Sequence, residues 1–150
     1  MIRTKREYEA SLKKLKQNDE ALENQREELV KLNLSETDIS NAMAPLMSFR
    51  NQLHQEIKIY EGIKAKNWKL ILELYTQHIG RFLIALRLAF NLNQRELASI
   101  LNVTEAQISK DERNEYHGVS QEKVNKILEL FDVKPMPPKI NKNIDKDFLL

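Results

Sequence analysis

Leu92-Asn93-Gln94-Arg95-Glu96-Leu97-Ala98-Ser99-Ile100-Leu101-Asn102-Val103-Thr104-Glu105-Ala106-Gln107-Ile108-Ser109-Lys110 is the stretch whose reading decides the fold. Asn93 can cap a helix that begins at Gln94, and Glu96, three residues on, can return the hydrogen bond. Leu97, Ala98 and Leu101 then share one face. Asn102 follows the last apolar position, where asparagine tolerates the left-handed backbone that closes a helix. Thr104 can cap a second helix, with Ile108 as its inward anchor. Glu105, Ala106 and Lys110 point away from that anchor. Small Ala98 lets the two helices approach closely, and Val103 is expected to plug the turn. Any helical hairpin can place Leu–Ala–Leu and Ile at these offsets. The Asn-Gln opening, the small residue at its fifth position, the turn residue at its ninth and the aliphatic at its fifteenth make a much less generic combination. The free face of the second helix suits a groove wide enough for a helix.

The flanks read as helix too. Trp68, Ile71, Leu72, Tyr75, Ile79, Phe82 and Leu83 predict helix through or up to Gly80. Downstream, Ser120 can cap a helix whose buried stripe is Val124, Ile127, Leu128 and Phe131. Upstream, Tyr8, Leu15, Leu22 and Leu29 recur every seven residues among charged neighbours, the spacing of a helix packed along a narrow seam. Asn18 or Asp19, and Arg26, interrupt that seam. Ser35 with Asp38 is a capping-type pattern. A second stripe, Leu46, Phe49, Leu53, Ile57, Tyr60 and Ile63 or Lys64, follows Pro45, which fits a first helical turn. Neither stripe can be buried alone, so residues 1–66 are expected to form an antiparallel helical hairpin. Its seams serve internal packing, or pairing with another chain. Residues 67–134 form the second unit. Three prolines within Pro135-Met136-Pro137-Pro138 then open a joint and tail over 135–150.

Three glycines and four prolines in 150 residues leave little punctuation for a strand-rich fold, so the class is all-α. With no cysteine, disulfides, thiolate metal sites and cysteine nucleophiles are excluded. His54, His78 and His117 lie far apart in sequence with no ligand at metal spacing. Gly-rich phosphate loops and nucleophile elbows are absent. The expectation is a cytoplasmic, cofactor-free, non-enzymatic protein with no metal and no membrane segment. The net charge is only +2. From Ile79 to Lys134 eight Lys/Arg meet eight Asp/Glu, so any basic footprint must come from arrangement.

The segment resembles the helix-turn-helix domain of the phage-repressor and xenobiotic-response-element class of bacterial regulators. Leu92 to Ala98 resembles that class's first motif helix, Val103 to Lys110 its recognition helix, Glu112-Arg113-Asn114 its ending and Val119 to Val133 its closing helix. The resemblance implies a lambda-repressor-like bundle and assigns roles by position. Glu105, Ala106 and Lys110 would read bases. Asn93, Gln94, Gln107, Arg113, Tyr116 and His117 would contact phosphates, the last two from the loop that runs along the DNA backbone. Arg87 and Glu112 would form a partly buried structural ion pair. Asp111 departs from the pattern where the class has a core residue, and is expected to cap locally or face solvent. Asn102 and Asn114 replace common glycines at positions needing positive φ. Glu105 beside Asp111 and Glu112 would repel phosphates and favour a dimer on two half-sites.

Gln52-Leu53…Ile57-Lys58-Ile59-Tyr60-Glu61 is similar to a hairpin ending found in small regulators, including antitoxins of toxin–antitoxin pairs. Three functions follow. The first is a homodimeric repressor on double-stranded DNA. The second is an antitoxin whose residues 1–66 hold a toxin. The third is a protein-interaction module with an inert helix-turn-helix.

Overall fold

The computed structural model describes residues 1–134, so the tail expected over 135–150 lies outside the described residues. Those residues form seven helices and no strand: α1 (Lys5–Lys31), α2 (Glu36–Lys64), α3 (Trp68–Gln77), α4 (Ile79–Ala89), α5 (Gln94–Ile100), α6 (Glu105–Arg113) and α7 (Gln121–Leu130).

Local chemistry sets most of the boundaries. Thr4, Ser35, Asn67, Asn93, Thr104 and Ser120 each accept a backbone N–H from the first turn that follows, which satisfies donors a helix start would leave unpaired. Asn33, Lys66, Asn91 and Asn102 adopt positive φ just beyond α1, α2, α4 and α5, closing them as left-handed C-terminal caps do. Two boundaries differ from the sequence expectation. Because Ser35 caps α2, Pro45 falls in the helix interior rather than in its first turn. Its missing N–H leaves the Asn41 carbonyl without an intrahelical donor, but both residues are exposed and water can reach the gap. The helix expected to reach Gly80 breaks at His78, whose extended backbone separates α3 from α4.

Helices α1 and α2 pack as an antiparallel hairpin, each about 40 Å long. The seam is unequal. Ile39, Met43, Leu53, Ile57, Tyr60 and Ile63 of α2 are buried, whereas α1 fully buries only Asn18. Tyr8, Leu15, Leu22 and Leu29 are half-buried, Leu12 is exposed, and Phe49 of the expected α2 stripe is 45% exposed. Asp19 and Arg26 do not enter the seam. Asp19 accepts from Arg50 Nε at 2.6 Å, and Arg26 lies 3.5 Å from Glu36.

One core joins the hairpin to the rest. Ile57, Tyr60 and Ile63 pack with Ile71 and Leu74 of α3, Phe82 to Leu86 of α4, and Ile127 and Leu128 of α7; Ile2 is buried in the same cluster. Helix α4 is apolar nearly all round and correspondingly buried nearly all round. Leu97, Ala98 and Ile108 form a small separate cluster between α5 and α6.

Candidate nucleic-acid interface

Helix α5 opens on a complete capping box. Asn93 Oδ1 accepts from the Glu96 N–H at 2.8 Å, and Glu96 Oε2 accepts from the Asn93 N–H at 2.7 Å. Leu97 and Ala98 face inward, and Asn102 turns the chain at φ 53°. The Val103 N–H donates to the Ala98 carbonyl at 2.9 Å. Val103 itself is exposed, so it does not plug the turn. Half-buried Leu101 packs against the cluster there instead. Thr104 Oγ1 then accepts from Gln107 to start α6, and Ile108 is fully buried beneath it. Glu105, Ala106, Gln107, Lys110 and Arg113 are all exposed on α6.

Behind this face lies a buried polar hub. Arg87 is 2% exposed and Glu112 is fully buried. The guanidinium engages both carboxylate oxygens, with Nη2 donating to Oε2 at 2.7 Å. Arg87 Nη1 donates to the Leu92 carbonyl at 2.7 Å, and Nη2 to the Arg3 carbonyl at 2.9 Å. Gln94 Nε2 adds a further donor to Glu112 Oε2 at 2.7 Å. Two charges taken out of water are tolerable only when their remaining hydrogen-bonding capacity is met, and here α4, α5, α6 and the segment before α1 all contribute. A second pair sits beside it. Asp111 is buried, accepts from Gln107 Nε2 at 2.7 Å and pairs with Lys123 of α7.

A family model described as helix-turn-helix matches residues 83–136. Residues 83–136 are a helix-turn-helix domain of the phage-repressor class. That is the domain of a DNA-binding transcription regulator. No curated protein and no solved structure matches the chain. Among the described residues no helix is long and apolar enough to cross a membrane.

Within the helix-turn-helix domain several expected residues stand differently from their sequence reading. Asp111 neither caps nor faces solvent, because Lys123 and Gln107 satisfy it inside the fold. Asp111 and Glu112 therefore do not add to the acidity of the outer face, where Glu105 is set against Lys110 and Arg113. Gln94 is half-buried and its amide is engaged with Glu112. Tyr116 is buried, so it is not placed to touch a phosphate. Burial above all, and then the Glu112 carboxylate, push its phenol well above the ordinary tyrosine range. The positive φ expected at Asn114 appears instead at Glu115 (50°) and Tyr116 (57°), while Asn114 sits at −90°.

His78 and His117, far apart in sequence, are brought together, with Nε2 to Nε2 3.1 Å and Glu115 alongside. The reason is Gly80. A Cβ there would lie 1.8 Å from the Glu115 carbonyl oxygen, so only glycine lets the loop after α6 press onto the start of α4. Sequence reasoning also missed Lys123 and Arg3. An acid at a core position calls for a cation, and Lys123 could have been sought on that ground. Nothing local marks the Arg3 carbonyl, a backbone acceptor 84 residues from Arg87.

Proposed function

We propose that the protein is a sequence-specific DNA-binding regulator that acts as a repressor by occupying its operator as a homodimer. The observation that carries this reading is the isolated outer face of α6. Glu105, Ala106, Lys110 and Arg113 are all exposed on a helix whose buried side is fully satisfied. In the major groove Lys110 would reach guanine O6/N7, Glu105 would accept from cytosine N4, and the Ala106 methyl would meet thymine. Asn93, Gln94, Gln107, Arg113 and His117 remain the phosphate-side candidates, Gln94 through its second amide N–H. A single module with so little net charge binds weakly, which favours two copies on two half-sites. The half-covered seam of α1 supplies apolar surface for that pairing.

Footprinting of the purified chain on the DNA upstream of its own gene tests this. Lys110→Ala should weaken specific binding by about 1–3 kcal/mol and relax base preference at one position. Unchanged affinity and preference would sink the assignment of α6 as the reader. A second reading, favoured by the same seam, has a toxin as its occupant. Sedimentation of the chain alone separates the two, since a stable dimer leaves the seam filled.

A further inference from the structure

We propose that His78, Glu115 and His117 bind a divalent transition-metal ion of the zinc class. One ligand atom from each lies within 4.8 Å of the other two. His78 Nε2 is 3.1 Å from His117 Nε2 and 3.6 Å from Glu115 Oε2. Zinc bonds of about 2.0–2.2 Å in tetrahedral geometry place neighbouring donors roughly 3.3–3.6 Å apart. The two donor pairs that include His78 therefore already stand close to the edges of a metal polyhedron, and the third pair lies within 4.8 Å. Two imidazoles with one carboxylate suit zinc and its neighbours rather than calcium or magnesium, which take oxygen. Three protein ligands leave one position for water.

The surroundings fit the same reading. Arg81 Nε donates to Glu115 Oε1 at 2.9 Å, leaving Oε2 turned to His78, the outer hydrogen bond that orients a ligating carboxylate. The Nδ1 of His78 is buried without a partner among the described residues. An ion on Nε2 would replace the present Nε2–Nε2 contact with His117 and leave the ring proton on Nδ1, where no described residue accepts it. The cluster is assembled at some expense: two consecutive non-glycine residues hold left-handed backbone and α4 gives up a side chain at Gly80. An ion held there would staple the α3–α4 joint to the loop between α6 and α7.

The test is calorimetric titration of the full chain with zinc chloride, without DNA, so that its outcome is independent of the regulatory reading. The expected result is one zinc per chain and a melting temperature raised by about 5 °C in excess zinc. His117 is exposed, and His117→Ala should lower the affinity at least about 10-fold, while His54→Ala leaves it unchanged. If circular dichroism shows His117→Ala to be misfolded, Glu115→Gln carries the same expectation. Cobalt(II) in place of zinc should give visible absorption of a four- or five-coordinate site. No binding by the native chain, or binding that a folded variant of His117 or Glu115 leaves intact, overturns the proposal.

Discussion

Glu112 accepts from Arg87 and Gln94 with no access to water. Glu112→Ala would strand the guanidinium in the core, and thermal melting should show a loss of about 3–5 kcal/mol. A loss under 1 kcal/mol would mean that water or a rearranged acceptor replaces the carboxylate. Tyr116 makes a separate prediction with pH. Its folded-state pKa is raised, so the stability tied to its neutral phenol is fully present below the ordinary tyrosine value near 10 and drains away as pH rises above it. The slope from one such group is up to about 1.4 kcal/mol per pH unit. Tyr116→Phe should reduce the alkaline slope in melts between about pH 9.5 and 11.5, without removing it, because burial also raises Tyr60. An unchanged slope would show that Tyr116 ionises without opening the core. Single residues were legible in the sequence where their partners lie a few positions away, as with Asn93 and Glu96. Asp111 was not, because its burial depends on Lys123 of another helix.

At the scale of elements, six of the seven helix starts among the described residues carry side-chain caps, and four of these, Ser35, Asn93, Thr104 and Ser120, were legible in the sequence. The start without one is α4, and there the reading failed. Apolar spacing runs on through His78, so periodicity alone predicts continuous helix. Beside the break, the loop after α6 lies against Gly80, a contact that periodicity does not register. Gly80→Ala should gain up to about 1 kcal/mol of helix propensity. It should lose more, about 1–3 kcal/mol net, as the Glu115 carbonyl is forced away. Melting reads the sum, and amide shifts confined to residues 78–82 and 114–118 would locate it. A stabilised variant would show that the close approach at Gly80 is not tight. Pro45 misled in the opposite sense. A proline usually marks a helix boundary, yet here the exposed Asn41 carbonyl makes the missing hydrogen bond inexpensive.

Over the whole molecule, the boundary drawn at residue 66 falls in a turn, but the core does not stop there. Ile2, Ile57, Tyr60 and Ile63 share it with α3, α4 and α7. Removing residues 1–66 would open that core and leave Arg87 short of an acceptor, so the truncation does not isolate a function of the hairpin. Substitutions toward the hairpin tip, at exposed Val30 or Leu34, test pairing without disturbing the fold. Calorimetric and circular-dichroism melts of the full chain should coincide in one transition. Two resolved steps would mean that hairpin and helix-turn-helix domain fold separately. The Arg3–Arg87 contact gives the long helix α1 two unlike ends. At its base the buried Ile2 and the Arg3–Arg87 bond tie the chain to the common core, whereas around Lys31 an amide needs only local fraying. Hydrogen exchange would therefore grade along a single helix, from minutes-and-longer protection toward its base to rapid loss at its tip, so that this one element reports how far a change in the arm has reached toward the helix-turn-helix domain.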